Sequence, residues 1–477
     1  MQFDEAYFKS DEFQELLDSY ETAVDSGSQP FLDADDLVDI ADFYNYHGDY
    51  DKATEAIDYA LRLYPRATLP NVFKAREALM RNNFKTARDY ANQIEHRDDP
   101  DFHYLHAEIL LAEGNIDQAD QYLHAYGMTI DAEEYNDFIK DCANLYIDYG
   151  ISDKAYEWML QLQDDDSDDF KELMARTLFG LGKYKDSERI FNELIDSNPF
   201  SKYYWNALAS AQYMDEDYAG SIASSEYAIA IDPSDPDALL SKANGLMRLN
   251  NYEEAHDYLK RYLEIIPDDE YALLSQGVCL VNQGLLQDAL TPLNSALEKA
   301  GAASPHLAQI YQELAFCYSA MRQPQKAIEM LDKTKELACD HIDMLVIRGH
   351  ILLENDLIEE AGRAFKQAIL QSGNTPSVLL RVIVSLYDNH YVSACYLMFK
   401  KFFNFIRDYH EDYCDGYSYM ALCCHDLGKG EEFLKYLRLA AEKNPDEARL
   451  VLGFMFPEGT EVKDYYDIMQ YQLKKRE

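Results

Sequence analysis

Glycine and proline are scarce in this chain of 477 residues: 20 and 14, about 7% together, where roughly 12% is usual. That shortage excludes a turn-rich β-sandwich or barrel and favours long helices joined by short loops. Positive charge is also short, because 43 lysines and arginines face 87 aspartates and glutamates, for a net charge of −44. A surface so acidic repels phosphate backbones and anionic headgroups, which argues against nucleic acid and the membrane surface as partners. It points instead to a partner of basic character, or to solubility alone. No apolar run approaches the ~20 residues of a membrane span, and the start Met1-Gln2-Phe3-Asp4-Glu5 has no basic stretch followed by an apolar core. The eight cysteines are scattered and form no CxxC pair, the usage of reduced thiols in a cytoplasmic protein. What is plentiful is apolar: 47% hydrophobic and 13% aromatic residues, enough to bury a core.

The chain repeats itself. A small residue is followed twelve positions later by another, in the pairs Ala41/Ala53, Ala75/Ala87, Ala107/Ala119, Ala143/Ala155, Ala175/Ser187 and Ala209/Ser221. The series continues through Ala243/Ala255, Gly277/Ala289, Ala315/Ala327 and Gly349/Ala361, with 32 to 38 residues between successive pairs. A turn such as His47-Gly48-Asp49-Tyr50 or Leu181-Gly182-Lys183-Tyr184 precedes the second member. Large or apolar residues follow it at i+4 and i+7 (Ile57 and Ala60, Phe191 and Leu194, Leu259 and Tyr262), the spacing of one helix face. Prolines at 65, 199, 233, 267 and 445 close several cycles, since proline lacks the amide donor a helix needs. Each cycle therefore reads as helix, tight turn, helix, stop, with the small residues where the two helices cross.

These residues resemble the tetratricopeptide repeat, a helix–turn–helix unit of about 34 residues. The sixth cycle matches best, with Trp205, Leu208, Ala209, Ala228 and Pro233. The resemblance runs over residues 34–445, about twelve repeats. It implies an all-α α-solenoid, a right-handed superhelix with a concave groove lined by each unit's first helix. Two late cycles depart from the template: Val382 stands for the first small residue and Lys401 for a buried alanine in the eleventh, and Phe433 for the second small residue in the twelfth. Looser or altered packing is expected over 375–435. Residues 1–33, with Phe13, Leu16, Leu17, Tyr20 and Val24 on an amphipathic helix, read as an N-terminal cap. Residues 446–477, with helices near 446–455 and 463–475, read as a C-terminal cap, because end repeats leave one apolar face open.

Motifs of catalysis and metal binding are thin. Gly180-Leu181-Gly182-Lys183 lacks the remaining residues of a phosphate loop and sits at a repeat turn. His103 and His106 stand i, i+3 without a third ligand nearby. Cys414, Cys423, Cys424 and His425 form a denser cluster that reads as core filling, with Cys423 and Cys424 beside Ala421 in a first helix. The acidic run from Asp164 to Asp169 has no glycine at its sixth place, as a calcium loop requires. No enzyme activity, metal or cofactor is expected.

The resemblance also implies where a ligand sits. With the first small residue at place eight, groove side chains fall near places two, five, nine, twelve and thirteen. That rule yields Asp35, Asp42 and Asn45 in the first repeat, then Tyr104, Glu108, Lys140, Asn144, Glu172 and Arg176. Further on it yields Tyr203, Asn206, Tyr213, Asn244, Arg248, Gln309 and Gln312. Asparagines hold an extended peptide by its amides, and tyrosines add rigid contact area. Lys140 and Asn144 fit the start of the family's carboxylate clamp, but Leu173, Tyr203 and Ala207 stand where its other members belong. The expected function is a non-catalytic scaffold that binds a protein or peptide in its groove. The alternative is a peptide-sensing regulator or co-chaperone-like adaptor, although residues 1–33 are too short and acidic for a basic output domain.

Overall fold

The computed structural model describes residues 5–26, 32–162, 165–410, 412–457 and 459–474. Among these residues the regular elements are helices, with no strand. Twelve helical hairpins follow one another, from Ala34–Tyr46 with Tyr50–Leu63 to Tyr417–Asp426 with Gly430–Lys443. The chain divides into two compact units, Met1–Ile231 and Asp232–Glu477, each holding six hairpins. Each unit is an all-α solenoid in which helices pack on their hairpin partner and on the following hairpin.

One turn geometry recurs in every hairpin. A left-handed residue follows the cap of the first helix: glycine at 48, 114, 150, 182, 284 and 428, and Asn82, Glu216, Asn250, Arg322, Asp356 and His390 in the other six, with φ between 55° and 80°. The amide after it reaches back into the helix, as from Asp49 to the Tyr44 carbonyl at 2.8 Å and from Asn251 to that of Leu246 at 2.9 Å. Carbonyls that the helix end leaves open are thereby satisfied. Glycine adopts this conformation freely, whereas other L-residues are disfavoured there by roughly 1–2 kcal/mol. The chain keeps its glycine content low by accepting that cost in half its turns.

The paired small residues lie where expected. Ala41, Ala75, Ala107, Ala143, Ala175 and Ala209 are fully buried, as are their counterparts on the second helices. Ser187 also donates its hydroxyl to the Ala175 carbonyl at 2.8 Å. At Gly277 and Gly349 the helices come closer still. A Cβ on Gly277 runs into the Leu293 side chain and one on Gly349 into the Phe365 ring, both well inside van der Waals contact.

The late repeats are repacked rather than loosened. The first small-residue place of the eleventh hairpin falls on Ile383, not Val382, and twelve residues on stands Cys395. Ile383 and Cys395 belong to one buried cluster with Phe399, Met420 and Cys423, while Val382 packs toward the preceding hairpin. Lys401 is exposed. The second helix is long, Val392–Tyr409, and buries Phe399, Phe402 and Ile406. In the twelfth hairpin Phe433 is buried opposite Ala421. At the amino end the helix Asp11–Ser26 buries Phe13, Leu17, Tyr20 and Ala23 against the first hairpin, but Val24 faces outward. At the other end Pro445–Leu452 and Tyr465–Lys474 cover the last hairpin with Leu452, Tyr465 and Met469. In the ninth hairpin Glu313 is half-buried, and burial pushes its carboxyl up to about 7.

Three stability predictions follow from this architecture. Gly349→Ala should destabilise the fold by about 1 kcal/mol, since overpacking of about 1–3 kcal/mol outweighs the roughly 1 kcal/mol gained in helix propensity. Combined with Phe365→Leu the cost should fall below the sum of the single changes, as a urea double-mutant cycle would show. Glu216→Gly should stabilise by about 0.5–1 kcal/mol by relieving the left-handed turn. For Glu313 the protonated form is favoured in the folded state, so its burial costs nothing at low pH, and the cost grows from pH 4.5 to about 7. Glu313→Gln should therefore match the parent at pH 4 and exceed it by up to about 3 kcal/mol above pH 7, measured by chemical unfolding across that range.

Candidate functional site

Repeat spacing sets the geometry of the concave face. First helices of successive hairpins lie side by side, so side chains 32 to 37 residues apart meet. Arg76 and Glu108 hold place nine in the second and third hairpins. Arg76 Nε donates to Glu108 Oε2 at 2.9 Å and Nη2 to Oε1 at 2.5 Å, a bidentate pair that lets Glu108 stay buried. Asp42 holds the same place one hairpin earlier, and burial raises its carboxyl to about 6 against the pull of Arg76. Place nine continues in Asn144 and Arg176: Arg176 Nη1 donates to Asn144 Oδ1 at 2.8 Å, and Nη2 reaches Asp148 Oδ1 at 3.3 Å.

Within residues 1–231 these helices line an open pocket of about 1040 Å³. Its floor is formed by the first helices Tyr135–Asp148 and Asp168–Gly180, and Ser201, Tyr203 and Tyr204 wall one end. Tyr46, from the end of the first hairpin's first helix, closes the opposite side. Five carboxylates line the space (Asp137, Asp141, Asp148, Asp169 and Glu172) against two cations, Lys140 and Arg176.

Both cations are already engaged. Lys140 Nζ lies 3.0 Å from Asp165 Oδ2, a carboxyl held down to about 2 by the hydrogen bonds it accepts from Ser167 and by Lys140. Arg176 is shared between Asn144 and Asp148. Three of the carboxylates have no such partner: among the described residues no lysine, arginine or histidine lies within ion-pair distance of Asp141, Asp169 or Glu172. Asp141 accepts from Tyr104 Oη at 2.8 Å. Burial raises the Asp141 carboxyl, with Asp137 adding to the effect and Tyr104 opposing it. Burial also raises Glu172, opposed by the Tyr204 and Tyr203 hydroxyls and by Arg176. Tyr203 is pushed up to about 12 by burial and by Glu172.

Of the groove residues expected from sequence, Lys140, Asn144, Glu172, Arg176 and Tyr203 line this one pocket, and Tyr104 borders it through Asp141. Asn206 and Tyr213 lie on the same helix as Tyr203 but outside the lining; Tyr213 packs edge-on against Tyr218, ring centres 5.4 Å apart. Asn244, Arg248 and Gln312 belong to the second unit. There Asn244 Oδ1 accepts from Tyr271 Oη at 2.9 Å, Arg248 is exposed at its helix end, and Gln312 is half-buried beside Glu313. Sequence reasoning passed over Tyr46, Asp137, Asp148 and Asp169, although all four fall at places two or thirteen. It had no rule for Asp141 or Tyr204.

The other sequence motifs resolve into packing. His103 stacks on Tyr126 with centroids 3.7 Å apart, its Nδ1 lies 2.6 Å from Tyr122 Oη, and His106 lies against Tyr122. Burial lowers both imidazoles. Cys414 sits in a loop with its Sγ on the Asp412 carbonyl, whereas Cys423 Sγ meets Cys395 Sγ at 3.2 Å in the core. Cys424 is buried beside it, and burial pushes its thiol up to about 12. Gly182 is a hairpin turn residue. In the acidic run Asp164 lies outside the described residues. Among the described residues no three histidines, cysteines or carboxylates are grouped to hold a metal, and no helix is long and apolar enough to cross a membrane.

No curated protein matches the sequence. Among solved structures, the chain is similar to YrrB, described as a TPR protein with an unusual peptide-binding site (22% identity, 41% of this chain and 95% of that one, TM-score 0.34). It is also similar to the pilus biogenesis factor PilW (19%, 46% and 99%, TM-score 0.40) and to a chain of the APC/C hetero-tetramer Cut9–Hcn1 (14%, 94% and 93%, TM-score 0.36). At these scores the likenesses assign neither path nor partner. Two family models, each described as tetratricopeptide repeat, match residues 173–236 and 213–277. These matches fall inside a run of twelve hairpins built on one template, and the chain is a tetratricopeptide-repeat protein.

Proposed function

We propose that the chain is a non-catalytic scaffold whose concave surface within residues 1–231 holds an extended, basic segment of a partner protein. One observation carries this reading: the pocket between the fourth and sixth hairpins has five carboxylates and two cations, and both cations are spent on internal partners. A site arranged in this way repels an acidic chain terminus, so the clamp begun by Lys140 and Asn144 does not serve a carboxylate ligand here. Tyrosines at 46, 203 and 204 add rigid apolar area for the peptide backbone and stems. The alternative of a peptide-sensing regulator gains no observation of its own. A cytoplasmic setting and the absence of nucleic-acid or membrane partners accord with the charge balance.

Affinity capture with the full chain tests the reading. Captured proteins should elute as salt rises from about 0.05 to 0.3 M, because exposed charge pairs are screened over that range. The same proteins should be missing when Asp141→Asn, Glu172→Gln and Tyr203→Ala are combined in one variant. Capture that resists salt, or that the triple variant retains, would count against the groove as the binding surface.

A further inference from the structure

We infer that Cys395 and Cys423 form a reversible redox latch: oxidation by a small disulfide joins them and fastens the twelfth hairpin, with the cap behind it, to the eleventh. Cys395 stands on the second helix of the eleventh hairpin, Val392–Tyr409, and Cys423 on the first helix of the twelfth, Tyr417–Asp426. Their sulfurs lie 3.2 Å apart and both residues are fully buried. Phe399, Met420 and Phe433 pack in the same cluster. A disulfide bond of about 2.05 Å requires the two sulfurs to close by about 1.2 Å. Among the described residues no other two of the cysteines are in sulfur contact, so the fold selects this pair.

Inside a closed core such thiols are inert. The hydrogen bond with Cys423 and burial hold the Cys395 thiol in its protonated form, whereas the thiolate is the form that attacks. Position in the array supplies the way in. Hairpins of a repeat array are held by their neighbours, so an end hairpin opens more readily than a central one. Beyond the twelfth hairpin stand only the short cap helices Pro445–Leu452 and Tyr465–Lys474. Glu447 of that cap accepts from the Gly416 amide at 2.8 Å, at the start of the same hairpin, which ties the cap to it. Opening of this end brings both thiols to solvent, where their ordinary ionisation returns, and closing restores the contact between the sulfurs.

The chemistry is thiol–disulfide exchange, with glutathione disulfide or a similar small disulfide as the oxidant. One cysteine thiolate attacks a sulfur of the oxidant, which forms a mixed disulfide and expels one small thiolate. The other cysteine thiolate then attacks the protein sulfur of that mixed disulfide, forming the Cys395–Cys423 bond and expelling the second. The pair gives up two protons and two electrons, and the oxidant leaves as two thiols. The new bond joins residues 28 apart in sequence. It narrows the range of open conformations and so holds the end shut, which in turn keeps reductants away from the buried bond. A reducing thiol pool thus leaves the carboxyl-terminal end free to open, and an oxidising one closes it.

The test incubates the full chain with reduced or oxidised glutathione, in buffer and in urea below the main unfolding transition. Remaining thiols are alkylated after denaturation and the peptides are mapped by mass spectrometry. Oxidised glutathione should link Cys395 to Cys423, faster in urea, where the end opens more often. Amides of Tyr417–Asp426 and Gly430–Lys443 should then exchange hydrogen on the order of a hundredfold more slowly, and dithiothreitol should restore the faster exchange. Cys395→Ala should fold, because alanine is the common occupant of that place, and should lose both the link and the slowing. Cys339→Ala combined with Cys414→Ala should keep both. Glutathione found only on Cys339 and Cys414, with Cys395 and Cys423 free in buffer and in urea, would overturn the latch. So would a Cys395–Cys423 link that leaves exchange in the last hairpin unchanged.

Discussion

The fold depends on how closely two helices of one hairpin can cross. At eleven of the twelve crossings, the Ile383–Cys395 one excepted, the side chain on one or both helices is reduced to a methyl, a hydroxymethyl or a hydrogen, and the backbones come together around it. A methyl group too many at such a point cannot be absorbed by a flexible neighbour, because the opposing atom is a ring or a branched carbon, as Phe365 and Leu293 show. Close crossing also fixes the tilt of the hairpin. A fixed tilt repeated down the chain sets which side chains of one first helix face those of the next. Every concave contact inherits its register from that one steric limit.

That inheritance explains the polar ladders. A side chain at one place meets its counterpart roughly one repeat further on, so the charge of a concave residue is answered from the neighbouring hairpin. Arg76 with Glu108, Arg176 with Asn144 and Asp148, and Tyr104 with Asp141 are all pairs of this kind. A buried charge without a partner is costly, and a ladder lowers the cost by sharing donors between hairpins. The chain, however, has about twice as many acids as bases. In the pocket of residues 1–231, where Lys140 and Arg176 are drawn into such pairs, the remaining charged side chains are negative.

The fold was legible because its cause is local and repeated. A twelve-residue interval between small side chains survives any surface change, and the turn, the apolar i+4 and i+7 positions and the proline stops reinforce it. The reading slipped by one residue where the signal is weakest. In the eleventh hairpin neither Val382 nor Ile383 is small, so composition could not choose between them, and the long helix Val392–Tyr409 became visible only through packing. The site was legible in part for a related reason. Place numbers pick out Lys140, Asn144, Glu172, Arg176 and Tyr203, which line the pocket. They do not say which inward residues are consumed by each other. Nor do they say that Tyr46 closes a space against hairpins more than ninety residues away in sequence, which depends on the accumulated turn of the hairpins between.

Net charge and local charge then carry different information. Most of the surplus of acids lies on exposed faces, where water and salt screen it and where it serves solubility. On the pocket walls burial raises the half-buried Glu172, and it also raises the more exposed Asp141. A ligand gains most by supplying charge where the protein has been unable to supply its own. On the reading proposed above, recognition is set less by the total of −44 than by the acids of the pocket that lie outside ion-pair distance of a cation.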